Sequence, residues 1–427
     1  MSDTKKASRR DFLKGSAAVV AGTALAANLN VGRFAHAAGS DVIKVCLVGA
    51  GGRGQGAIRN CLSADPNLKC VALADAFEGN AKGAANSLRS DGQYKSKVDL
   101  PEERVFWGLD AYKKAIDCGV DLVVTAAPPG FRPMHYSYAI KAGKHVFMEK
   151  PCCTDAAGFR TLMEANKLAD EQNLKVGVGL QRRHQSNYLG SIQAVRDGKY
   201  GEILFQRVYW NGGDIWLRGR EKDESEMHFQ VRNWYHFVWA GGDNICEQHV
   251  HNLDIANWVM DGHPVEANGM GGCQVRKQRS QSQIFDHHFV EFTYPNGAKL
   301  FSQCRQQNGT WSNVSETAHG TKGVCGFGDR GPKLESGNAY DQEHIDLIKA
   351  IRDNTKQNEG WYGATSSFTA VLGRMATYSG QMVRWDDAVK GGPSLFPETL
   401  AFDANPRDLP GPDGNYPMAV PGTFKPY

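Results

Sequence analysis

The chain has 427 residues, 41% of them hydrophobic and 22% charged, with a net charge of +3. This composition reads as a soluble globular protein of two domains; it excludes a disordered chain and gives no electrostatic footprint for nucleic acid. After the leader described next, no apolar run reaches the roughly 18 residues that a membrane span needs.

Residues 1–37 read as a cleavable leader rather than as fold. Ser8-Arg9-Arg10-Asp11-Phe12-Leu13-Lys14 is a twin-arginine pattern, a weakly apolar stretch runs from Ser16 to Leu29, and Ala35-His36-Ala37 supplies small residues for cleavage. The expectation is export to the periplasm by the twin-arginine machinery, which carries proteins that are already folded. Export of a folded chain removes the usual link between secretion and disulfides. The ten cysteines form no CxxC pair, and several lie in apolar runs such as Val45-Cys46-Leu47-Val48; they read as small buried apolar residues.

From Asp41 to Val48 the sequence predicts a strand, ending in Gly49-Ala50-Gly51-Gly52-Arg53-Gly54. Further strands are expected at Cys70–Asp75, Asp121–Ala126, His145–Met148 and Val176–Gly179, with helices between them, the longest over Asp155–Glu171. Short apolar strands alternating with helices predict a doubly wound parallel sheet, a Rossmann domain over 41–182. Near Arg182 the pattern changes. Ile203–Trp210 and His288–Tyr294 alternate as half-buried strands do, and Pro295-Asn296-Gly297 marks a hairpin. Residues 183–390 are therefore expected to form an α+β domain with a large open, mostly antiparallel sheet and late helices at His344–Arg352 and Ser366–Gln381. From Gly391 to the end, Pro and Gly predict an extended arm over the surface.

A lone GxGxxG is weak evidence, but Gly49, Gly51 and Gly54 sit between a strand and a helix, and Asp75 closes the next strand 21 positions after Gly54. In that setting Gly49 permits the turn, Gly51 lets the backbone approach a pyrophosphate, and Gly54 allows close helix packing. The helix start offers N–H donors to phosphate. Asp75 is expected to take the ribose hydroxyls, which favours NAD; Gly52 and Arg53 complete the loop, and Arg53 leaves NADP open through a 2′-phosphate.

Gly143-Lys144-His145-Val146 leading to Glu149-Lys150-Pro151, Pro128-Pro129 with His135 following, Gln181-Arg182-Arg183, and Gly241-Gly242 ahead of His251 are similar to the motifs of the glucose–fructose oxidoreductase, inositol dehydrogenase and rhizopine-catabolism (Gfo/Idh/MocA) family. The resemblance covers essentially the whole mature chain. It implies a cis Lys150–Pro151 bond, a cofactor site that includes Pro128, His135, Glu149 and Lys150, and Lys150 and His251 flanking the reacting carbon. Physical reasoning agrees: a hydride leaves a secondary alcohol only as the hydroxyl proton is removed, so a base such as His251 must lie in reach, and an ammonium steadies the oxygen. Glu247, four residues before His251, joins it if one helix spans both, although the same pattern fits an amphipathic helix with its polar stripe in water. The family more often has Asp where this chain has Glu247, and a small residue where it has His249.

By analogy Arg182, Arg183, Trp234, Tyr235, His249 and Asp254 are expected to contact substrate. Glu247, His249 and His251 with His287 and His288 match no metal spacing, since i, i+2 and i+4 do not converge on a helix; no metal is expected. The resulting expectation is an exported NAD(P)-dependent oxidoreductase acting on a CH–OH group of a sugar, glycoside or cyclitol. Its cofactor is carried out tightly bound because the periplasm has no nicotinamide pool, and the protein is a homo-oligomer. The alternative is a cofactor-recycling glycoside hydrolase that works by transient oxidation, elimination, water addition and re-reduction.

Overall fold

The computed structural model describes residues 42–427; the leader and Asp41 lie outside them. Six strands, β1 (Ile43–Val48), β2 (Leu68–Asp75), β3 (Val105–Trp107), β4 (Leu122–Thr125), β5 (His145–Met148) and β6 (Val176–Val178), form a parallel sheet in the order β3-β2-β1-β4-β5-β6. The strand order reverses between β1 and β4, and the crevice beyond the carboxyl ends of these strands is where a doubly wound sheet binds ligands. The sequence reading omitted β3, an edge strand of three residues that ends in the half-exposed Trp107 and is too short to show a period.

The second sheet has seven strands, β7 (Ile203–Gly212), β8 (Glu266–Gly272), β9 (His287–Thr293), β10 (Lys299–Gln306), β11 (Asn313–Gly320), β12 (Gly323–Cys325) and β13 (Val383–Arg384), ordered β12-β11-β7-β10-β9-β8-β13. Only the β7–β10 pair is parallel. The β9–β10 hairpin turns at the expected place: Gly297 has φ +86°, and Tyr294 N donates to Ala298 O at 2.9 Å. One face of this sheet packs Val208, Leu300, Val290 and Phe292 against the helices Val250–Met260 and Gly360–Ser379. The other is open, with cross-strand rows such as Tyr209–Gln303–Phe289–Met270.

Three expectations are corrected. No single helix carries Glu247 and His251: one short helix, Asn244–Glu247, ends before another, Val250–Met260, begins, and the second is buried almost all round rather than striped. The helix expected at His344 begins at Ala339, where Asn338 caps it by accepting from Asp341 N at 2.9 Å. Its Leu347, Ile348 and Ile351 return to the first sheet and join a core with Val45, Leu47 and Phe147. The arm is not confined to the surface. Leu395 N donates to Asp155 Oδ2 at 2.6 Å, and Tyr416 is fully buried against Phe237, because an aromatic ring at that point fills a gap between elements. All ten cysteines are free thiols, eight of them buried, in keeping with their apolar settings.

Candidate active site

A cleft of about 1060 Å³ opens at the carboxyl ends of β1, β2, β4 and β5. At one end stands the glycine loop. Gly49 has φ +89°, and a Cβ there would lie 2.3 Å from Ala127 N; a Cβ on Gly54 would lie 1.9 Å from Gly49 O. Both are glycine because the protein leaves no room. Around Gly51 and Gly52, by contrast, a Cβ would meet nothing within 4 Å. That open cradle borders the first turn of the helix Gly52–Ser63, which has no side-chain cap. Its N–H groups face the cleft with the partial positive charge that suits a diphosphate.

Asp75 lines the same cleft, its carboxylate taking hydrogen bonds from Ala50 N (2.7 Å), Phe77 N (2.9 Å) and Asn80 Nδ2 (3.1 Å). Burial raises its carboxyl above the ordinary value, against those three donors. The carboxylate is thus fixed beside the loop, as recognition of a ribose requires. Arg53 is committed elsewhere: Nε donates to Glu149 Oε1 at 2.5 Å, and its guanidinium lies 5.1 Å from the Tyr340 ring centre. Pro128 and His135 line the cleft from the end of β4 onwards. Burial, then Arg132, pushes His135 down to about 3, so it is a neutral ring tilted against Tyr112 at 4.4 Å.

At the other end Lys150, Glu247 and His251 meet. The Lys150–Pro151 bond is cis. Lys150 Nζ donates to Glu247 O at 2.6 Å and to Glu247 Oε1 at 3.0 Å. Burial, then Lys150 and Arg182, lowers the His251 imidazole well below its ordinary value, so the ring is neutral. Two buried polar atoms here, His251 Nδ1 and Glu247 Oε2, make no hydrogen bond within the protein. Buried polar groups are usually paired, so atoms left unpaired at a cleft are where a ligand's hydroxyls would bond. Trp210 stacks 5.8 Å from His251, and Arg182, paired with Glu316, lies over it. The sequence reading passed over Trp210, although its inward position near the end of β7 was a usable signal.

Of the expected substrate contacts, Arg182 and Trp234 line the cleft, whereas Arg183, Tyr235, His249 and Asp254 do not. Arg183 and Asp254 form a buried pair at 2.8 Å, and Asp254 also accepts from Ser366. Tyr235 accepts from Gln306 Nε2 at 2.9 Å. His249 bonds Ser302 and Asn252 in the interior, where burial holds it down to about 3. The break after Glu247 turns His249 towards the sheet, away from the cleft. His287 faces Asp286 and Gln307, and His288 lies between Thr377 and Asp243. Among the described residues no group of three or more ligating side chains is placed to hold a metal.

A phosphate cradle at the switch point of a Rossmann sheet, facing an ammonium and a neutral imidazole, defines a nicotinamide-dependent oxidoreductase acting on CH–OH groups. The comparisons narrow this. Residues 43–180 match the model of the oxidoreductase family with an NAD-binding Rossmann fold (Gfo/Idh/MocA), residues 191–325 match the GFO/IDH/MocA C-terminal domain, and residues 6–26 match the twin-arginine translocation signal sequence. The chain belongs to the Gfo/Idh/MocA oxidoreductases and carries a signal for twin-arginine export. It is 22% identical to an inositol 2-dehydrogenase of Rhizobium meliloti (strain 1021) over 77% of this chain and 88% of that protein. It is 31% identical to a scyllo-inositol 2-dehydrogenase (NADP(+)) of Bacillus subtilis (strain 168) over 46% of this chain and 49% of that protein. The solved scyllo-inositol dehydrogenase of Lactobacillus casei with bound NAD(H) and scyllo-inositol matches the fold with a TM-score of 0.61 at 18% identity, over 81% of this chain and 99% of that one. The hydrolytic alternative draws no support from these relatives. No helix among the described residues is long and apolar enough to cross a membrane.

Proposed function

We propose that the protein oxidises a secondary hydroxyl of a sugar, glycoside or cyclitol while holding its nicotinamide nucleotide as a resident group. When bound, the nucleotide supplies the hydride acceptor. The N–H groups at Gly51–Arg53 hold its diphosphate, and Asp75 holds a ribose, which favours NAD; because Arg53 is tied to Glu149, it is less available for a 2′-phosphate. Lys150, steered by Glu247, donates to the substrate oxygen and steadies negative charge on it, and His251 takes the hydroxyl proton at Nδ1. Arg182 and Trp210 fix the ring beside them.

Residence of the nucleotide is supported at the adenosine end. Phe77, two residues past Asp75, is covered by His228 at 5.0 Å and Phe402 at 5.6 Å, so the helix Glu226–Arg232 and the C-terminal arm lean over the cleft. The open face of the second sheet supports assembly with a further copy of the chain.

The observation that carries the reading is the convergence of Lys150, Glu247 and His251, with two unpaired polar atoms, in the cleft that begins at the glycine cradle. Mass spectrometry of protein purified without added nucleotide should release NAD on denaturation. Adding myo-inositol, glucose or other polyols should then raise the absorbance of reduced nicotinamide, and Lys150→Ala should slow this by about 10²–10⁴-fold. A protein that neither carries nor binds a nicotinamide nucleotide would refute the proposal.

A further inference from the structure

The oxidation chemistry uses one wall of the cleft and leaves another unexplained. Residues 213–225, between β7 and the helix Glu226–Arg232, have no regular secondary structure, yet they are firmly held. Asn233 clasps Arg218 from both sides, accepting from its N at 2.8 Å and donating to its O at 3.1 Å. His236 Nε2 donates to Trp216 O at 2.8 Å, and Arg232 Nη2 donates to Gly219 O at 2.7 Å. A segment pinned in this way nevertheless leaves Trp216 41% exposed. The Trp216 ring meets Trp234 at 6.1 Å and 65°, and the Arg218 guanidinium lies 4.5 Å from its centre, which fixes the indole in place. Trp216, Trp234, Arg218 and Glu221 all line the cleft that holds Lys150 and His251.

Two aromatic groups therefore wall one cavity. Trp210 stands against His251 at the reacting centre, and the Trp216–Trp234 pair stands beyond the end of β7, the strand that carries Trp210. An indole held at the cleft wall beside a second indole and a guanidinium offers a flat apolar face to a ligand. A flat apolar ring with charged donors and acceptors beside it matches a pyranose, which has an apolar C–H face and a rim of hydroxyls.

We infer that Trp216 and Trp234 form an outer subsite for a second sugar ring, and that the substrate is a disaccharide or glycoside rather than a free monosaccharide or cyclitol. This rests on the polyol-oxidising reading: one ring sits at His251, and its neighbour stacks on Trp216.

Titration calorimetry on the protein as purified, with its nucleotide, tests the inference without needing turnover. The probes are cellobiose, maltose and lactose against glucose and galactose. At least one disaccharide should bind about tenfold more tightly than its component monosaccharide; Trp216→Ala should abolish that ratio, and Trp216→Phe should retain part of it. No disaccharide advantage, or one that survives Trp216→Ala, overturns the inference. The two readings separate cleanly. A disaccharide advantage without any nicotinamide reduction would sink the oxidation chemistry and keep the subsite, whereas reduction by monosaccharides with no advantage would do the reverse.

Discussion

Gly51 and Gly54 stand three residues apart and are glycine for different reasons. A side chain at Gly54 would strike Gly49 O, whereas one at Gly51 would enter the cleft and touch no protein atom. Gly54→Ala should therefore lower Tm by several degrees, while Gly51→Ala should melt like the parent but lose most of its bound nucleotide, read by calorimetric melting and by nucleotide content. Equal loss of stability in both would contradict the roles given to them. At this scale the sequence singled out Lys150, Glu247 and His251, which meet in the cleft, because their chemistry and their motif point the same way. Arg183, Tyr235, His249 and Asp254, expected there too, stand off the cleft. Each is a polar side chain whose direction is decided by a distant partner; for His249 that partner is Ser302, and for Asp254 Ser366 as well as Arg183. Such pairings leave no local trace in the chain.

Among the elements, five of the six parallel strands were legible because each is a short apolar run closed by a turn, and so was the long helix expected over Asp155–Glu171, which Asp155 caps by accepting from Gly158 N. β8 was not, since Glu266–Gly272 carries three glycines; Gly269 and Gly271 let the backbone lie against Thr377, and the pattern of alternation vanishes. The outward face of the second sheet displays Phe205, Phe289, Phe301 and the largely exposed Met270, with Arg207 and Glu291 in the row through Phe301. A patch carrying both charges and aromatic rings can pair with itself about a twofold axis. Sedimentation should show a dimer or tetramer, and Phe301→Asp, at the middle of that face, should shift it towards monomer. A monomeric parent protein at micromolar concentration would rule this pairing out.

The molecule as a whole should be sensitive to mild acid. Burial lowers six histidines: His135 and His249 to about 3, His236 to about 4, His251 and His344 well below their ordinary value, and His319 below it as well. The unfolded chain takes up protons near pH ~6.5 that the native state refuses, so this stability is complete above that value and falls as pH drops through it. Each such group withdraws up to about 1.4 kcal/mol per pH unit. Four groups differ. Burial raises the Glu343, Glu316 and Asp75 carboxyls, which add stability as pH falls, and His184, lifted by Glu359 and Asp346 to about 10 in spite of burial, contributes fully below about 6.5. The lowered histidines outnumber the raised carboxyls, so Tm should decline from about pH 6.5 to 5; a flat profile would mean that these rings protonate in place. The thiols bear on what happens after export. Those at Cys46, Cys61, Cys70, Cys152, Cys153, Cys246, Cys304 and Cys325 lie in packed interior, and burial pushes all of them towards the unreactive protonated form. A chain that folds before it crosses can thus enter an oxidising compartment with eight of its ten thiols already out of reach.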